Sequence, residues 1–126
     1  MSSPINYDET PEFKKDLKRL AKKFRSLPED IELVKSAVIE LNHILGINNL
    51  SSVFIEGLCS EEIKICKIRK FACKALKGRG GQTGIRVIYA YHIKTRKVDF
   101  IEIYFKADQA NEDKERIKAY LKNIAV

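Results

Sequence analysis

The apolar residues change their period along the chain, and that change limits the fold more than any other feature. Up to Leu45 they recur at helical spacing. Phe13, Leu17, Leu20, Ala21 and Phe24 make one stripe, and Ile31, Val34, Val38, Leu41 and Leu45 make a second. Residues 63–71, 85–93 and 98–105 instead read as strands, rich in Val, Ile and Tyr and alternating in part between apolar and polar. Ile117, Tyr120, Leu121 and Ile124 then return to helical spacing. Helices followed by strands that can be joined by short turns specify an α+β fold. The expected architecture is an antiparallel sheet packed on an N-terminal helical hairpin, with a C-terminal helix, and with the helices gathered on one face.

Local punctuation agrees. Thr10-Pro11-Glu12 reads as a helix start, with Thr10 as the cap and Pro11 at the first helical position. Ser26-Leu27-Pro28-Glu29 has capping-box spacing and opens the second helix. Residues 5–7 read as a short edge strand and residues 47–61 as loop, because Asn, Ser and Gly break any period there. Residues 77–84 form a basic glycine-rich loop. It is not a phosphate-cradling P-loop, since no Lys-Ser/Thr follows. Lys94-Thr95-Arg96-Lys97 is short enough for a hairpin turn. Asn111-Glu112-Asp113 places acids at a helix start, where they match its dipole.

The 126 residues are expected to form one domain, residues 1–126. No run of residues is apolar enough for a membrane helix, and the first residues lack the basic-then-apolar pattern of a signal peptide, so a cytoplasmic protein is expected. Cys59, Cys66 and Cys73 are odd in number and have no metal-ligand spacing; they read as free thiols, with no metal and no cofactor expected.

Charge is more informative. The net charge is +7, and twelve Lys/Arg against three acids between Glu62 and Lys106 give that segment +9, leaving −2 for the rest. A basic block in an otherwise near-neutral chain is the footprint of a face that meets a polyanion. Histidine offers little for chemistry. His43 falls near the end of the second helix, exposed or capping, and His92 lies six strand residues, about 20 Å, from Arg86. Asp99 and Glu102 fall on opposite strand faces by simple alternation, which excludes a paired-carboxylate or metal-nuclease site there.

This order of elements resembles the RelE/ParE toxin superfamily, and the resemblance runs from Tyr7-Asp8-Glu9-Thr10-Pro11-Glu12-Phe13-Lys14 to the last helix. Its most specific strings are Leu20-Ala21-Lys22-Lys23-Phe24-Arg25, Cys66-Lys67-Ile68-Arg69, Gly84-Ile85-Arg86-Val87-Ile88-Tyr89 and Ile103-Tyr104-Phe105-Lys106-Ala107-Asp108-Gln109. The resemblance implies the toxin of a type II toxin–antitoxin pair. Such a toxin is a ribosome-dependent endoribonuclease acting on mRNA in the 30S A site and held inactive by a cognate antitoxin. It also implies that the functional residues are the basic positions of the middle strands, here Lys67, Arg69 and Arg86, with Lys106 where the last strand ends. Some members stack an aromatic on a base just after that strand. Glu112 stands near that register here, which leaves the role to Tyr104 or Tyr91.

The chemistry is consistent with those positions. RNA is cut without a metal when its 2′-hydroxyl attacks the adjacent phosphate. A base must take the hydroxyl proton, cations must stabilise the added charge, and an acid must protonate the departing 5′-oxygen. Alternation puts Lys67 and Arg69 on one face, about 7 Å apart. Arg86, permanently charged and bidentate, suits the phosphate clamp. Lys67, crowded by other cations, suits the base, with Lys106 or Arg69 beside the leaving group. Lys64, Lys70, Lys74, Lys77 and Arg79 are expected to make backbone contacts to RNA. Two alternatives remain: a ParE-like inhibitor of DNA gyrase, against which the basic residues at all four of positions 67, 69, 86 and 106 weigh, and a nucleic-acid-binding module that cuts nothing.

Overall fold

The computed structural model describes residues 4–47, 52–69 and 83–124. Strand β1 (Asn6–Glu9) leads directly into helix α1 (Pro11–Ala21). Thr10 makes the joint. Its extended backbone lets Oγ1 accept the Phe13 amide at 3.2 Å and donate to the Phe100 carbonyl at 3.0 Å, so the helix cap is also bonded to the sheet. Helix α2 (Leu27–Val34) follows a short turn. The expected capping box does not form, because Ser26 already has helical dihedrals and its hydroxyl donates to Asp30 Oδ2 at 2.8 Å.

Residues Lys35–Glu40 then wind as a π-helix before the short helix α3 (Leu41–His43). A π turn holds an extra residue, which rotates everything after it about the helix axis. The buried face therefore passes to Ile39 and, in part, Ile44, while Leu45, expected inside, is 66% exposed.

The sheet runs β1–β5–β4–β3–β2. Strands β3 (Ile63–Ile68), β4 (Ile85–His92) and β5 (Lys97–Phe105) form its antiparallel middle, close to the expected bounds. Strand β1 pairs with β5 in parallel. Strand β2 (Ser52–Phe54) lies within the span read as loop; at three residues, pairing antiparallel with β3 at the sheet edge, it is too short to show a period.

A bulge separates Ile88↔Glu102 from Tyr89↔Phe100 and leaves Ile101 as the extra residue of β5. This corrects the parity of the acids. Asp99 pairs with Ala90 and Glu102 with Ile88, so both belong to the same face.

The two faces carry different layers. Helices α1 and α2 and the π turn bury Phe13, Leu20, Ile31 and Ile39 against Cys66, Val87, Tyr89 and Phe100. The C-terminal helix α4 (Lys114–Ile124) does not join them. Its Ile117 is buried against Ile65, Ile88, Ala90, Ile101 and Tyr104 on the opposite face. The layers are tied around the sheet edge. Beyond Phe100 strand β5 has no β1 partner, and the Ile103 amide donates to the buried Asp16 of α1 at 3.4 Å. Arg116 of α4 reaches the same carboxylate at 2.6 Å and also donates to the Ile101 carbonyl.

His43 is neither exposed nor capping. Its Nε2 lies 2.8 Å from Tyr89 Oη, and its ring stacks on Tyr91 with centroids 4.1 Å apart. Burial lowers its pKa to about 4. An unfolded histidine titrates near 6.5, so between that pH and about 4 the unfolded chain holds a proton that the folded one refuses, and stability falls as the pH drops through that window. After a discount for partial exposure, the loss at pH 4.5 is about 1–2 kcal/mol. Urea unfolding of the wild type and of His43→Gln at pH 7 and 4.5 checks this. The variant should lose less stability on acidification, and equal losses would contradict the assignment.

Candidate nucleic-acid site

The site is built by strand register. Lys67 of β3 pairs with Ile88, and Arg86 of β4 pairs with Tyr104 of β5. Alternation therefore puts Lys67, Arg86 and Tyr104 on the α4 face, at the end of the sheet where β3 and β5 finish and β4 begins. Arg69 follows directly on β3, exposed, outside the paired strand. Arg86 Nη1 donates to the Arg69 carbonyl at 3.0 Å and to the Ile85 carbonyl at 3.3 Å, which holds the guanidinium over the strand ends. Lys106 follows β5, exposed, and its amide donates to the Gly84 carbonyl at 2.8 Å. Gly84 allows this approach. Its φ is +83°, and a Cβ there would stand 3.3 Å from the Phe105 ring.

Lys64 is not brought to this face: it pairs with Tyr91 and shares the parity of Cys66 and Ile68, on the helical-hairpin side. Lys70, Lys74, Lys77 and Arg79, and Cys73 with them, lie outside the described residues. Tyr104 is only 2% exposed and Tyr91 is stacked on His43, so neither ring is open for a base to stack on. Among the described residues the buried Tyr104 hydroxyl has no partner at ordinary hydrogen-bond geometry, although Lys67 lies close beside it. Burial pushes the hydroxyl's pKa up, an effect that the nearby Lys67 opposes and Glu112 reinforces.

Glu112, expected at a helix start, is instead brought into the site. Lys67, read as crowded by cations alone, donates its Nζ to Glu112 Oε1 at 2.9 Å; the two side chains are 18% and 9% exposed. Burial acts to raise the Glu112 carboxyl, but the hydrogen bond and charge of Lys67 outweigh it and hold the group below the usual carboxylate range. Buried Glu102 anchors the segment that carries Glu112, accepting from Gln109 Nε2 at 2.8 Å and from the Asp113 amide at 2.9 Å. Asp113, rather than Glu112, caps α4 by accepting the Arg116 amide at 3.1 Å. Nothing near Glu112 in the chain marks a partner forty-five residues away.

A second polar group sits toward the other end of the same face. His92 Nε2 lies 2.7 Å from Tyr120 Oη and 3.3 Å from Asp99, and Tyr120 also donates to Asp99. These contacts fasten α4 to the sheet, away from Arg86. A cleft of about 320 Å³ between the start of α1 and α4 is likewise apart from Lys67, and its Arg116 and Tyr120 are engaged by Asp16 and Asp99. Among the described residues no cluster of three or more His, Cys, Asp or Glu could hold a metal, and no helix is long and apolar enough to cross a membrane.

No protein-family model and no curated protein sequence matches this chain. Its structure is similar to a chain in the crystal structure of the archaeal RelE–RelB complex from Pyrococcus horikoshii OT3. That match has a TM-score of 0.51 and 13% identity, and covers 82% of this chain and 97% of that one. The fold is therefore RelE-like, as the order of helices and strands implies.

Proposed function

We propose that this RelE-like chain is the toxin of a type II toxin–antitoxin pair, an endoribonuclease that cuts mRNA on the ribosome through the RNA's own 2′-hydroxyl. The observation that supports the reading is that Lys67 and Arg86 share one sheet face, at the end where Arg69 follows β3 and Lys106 leaves β5. The fold shared with a chain of a RelE–RelB complex supports a protein partner for this chain.

In this reading the scissile phosphate lies across the strand ends. Arg86, held by two carbonyls, clamps its oxygens as charge builds on phosphorus. Lys67 sits beside the 2′-hydroxyl and takes its proton, and Lys106, exposed just past the end of β5, protonates the departing 5′-oxygen with Arg69 near it. The reaction needs no metal, because the nucleophile is part of the substrate. The ribosome supplies the RNA in an extended path in the 30S A site, and the cognate antitoxin blocks the same cationic face.

Expression in bacteria tests the reading. The chain alone should arrest growth, and co-expression of its antitoxin, encoded beside it, should restore growth. Normal growth on expression of the folded chain alone would favour a plain nucleic-acid-binding module.

A further inference from the structure

We infer that Glu112 is a positioning residue of this site, the carboxylate that receives through Lys67 the proton taken from the RNA 2′-hydroxyl; this rests on the ribonuclease reading above. A lysine ammonium has no lone pair with which to accept a proton. Lys67 donates to Glu112 at 2.9 Å, so a charged Lys67 serves as a base only if it passes a proton onward as it takes one.

Glu112 is suited to that transfer. It is ionised, nearly buried, and in direct hydrogen bond with the amine that faces the strand ends. Its backbone is also anchored. Glu102 accepts from the Asp113 amide and from the Gln109 side chain, which in turn donates to the Asn111 carbonyl, so the segment that carries the carboxylate is held to a buried acid on both sides of Glu112. The charged and titratable groups around it are Lys67 from β3, Tyr104 and Glu102 from β5, and Asp113 and Lys114 from its own segment, with Arg86 of β4 across the same face. The buried Tyr104 hydroxyl stands beside the pair, acted on by the charge and hydrogen bond of Lys67 and by the charge of Glu112.

The step balances. As the 2′-oxygen bonds to phosphorus, its proton moves to Lys67 Nζ and an Nζ proton moves to Glu112 Oε1. The bond from phosphorus to the 5′-oxygen breaks, and that oxygen takes a proton from Lys106. The products are a 2′,3′-cyclic phosphate and a 5′-hydroxyl. Water then removes the proton from Glu112 and returns one to Lys106.

The test is the pH dependence of cutting for the wild type, Glu112→Gln and Glu112→Asp, with ribosomes carrying a defined message. At pH 7 Glu112→Gln should cut about 10²–10³-fold more slowly, the usual worth of a proton acceptor. The wild-type rate should fall on the acid side as Glu112 protonates. In Glu112→Gln that acid limb should vanish. Glu112→Asp should recover part of the rate and keep the acid limb, and it carries the test alone if the Gln variant does not fold. A wild-type rate and profile in Glu112→Gln would overturn the inference and leave the ribonuclease reading standing. Equal slowing of both variants at every pH would show packing only and would also overturn it. An intact message with the wild type would overturn both.

Discussion

Replacing Arg86 with Ala is expected to slow message cleavage by about 10²–10³-fold, the usual cost of removing one donor aimed at developing charge. Stability should change little. Arg86 is only partly buried, and its bonds are to the Arg69 and Ile85 carbonyls, at least the first of which lies within reach of water. Arg86→Lys should recover only a small part of the rate, because an ammonium cannot make the two parallel bonds of a guanidinium to phosphate. Cleavage rates on ribosome-bound message measure the effect, and urea midpoints show that the variants are folded. Combined with Lys67→Ala, the substitution should also abolish growth arrest. A folded double variant that still stops growth would show that the site lies elsewhere.

Phe100→Ala is expected to cost about 3–5 kcal/mol, the range for truncating a buried aromatic. Phe100 is among the largest of the fully buried side chains, with ring centroids 5.1 Å from Phe13, 6.0 Å from Tyr7 and 6.4 Å from Tyr89. It also sits at the bulge, and its carbonyl receives the Thr10 amide and hydroxyl. The cavity would open where α1, β1, β4 and β5 meet, leaving no single element free to collapse into it. Calorimetry should show Tm lower by about 10–20 °C. A loss under about 1 kcal/mol would mean that this junction does not carry the core.

The elements that follow from local chemistry were legible in the sequence. Thr10-Pro11 fixed the start of α1 because a capping hydroxyl and a preset φ act within a few residues, and the middle strands followed from their β-branched and aromatic content. What escaped depends on a single residue's shift or on distant partners. The π turn at Lys35–Glu40 exchanges Leu45 for Ile39 and Ile44 without altering composition. The bulge at Ile101 reverses the parity by which Asp99 and Glu102 were put on opposite faces.

The face that α4 covers could not be read from its own stripe, since an apolar helix face fits either side of a sheet. It is set by Ile117 and by polar ties to Asp16, Asp99 and Glu102. For the site, alternation was enough to put Lys67 and Arg86 on one face of the sheet. It was not enough for Glu112, whose position just before a helix has an ordinary explanation in the dipole. Its partner Lys67 is found only once α4 has docked.

The central claim is tested most directly by mapping the 5′ ends of a defined message incubated with intact ribosomes and the purified chain. Discrete new ends are expected inside codons positioned in the A site, present with no added metal beyond what the ribosome requires and strongly reduced with Arg86→Ala. An intact message, beside inhibition of DNA supercoiling by gyrase in a parallel reaction, would contradict the claim.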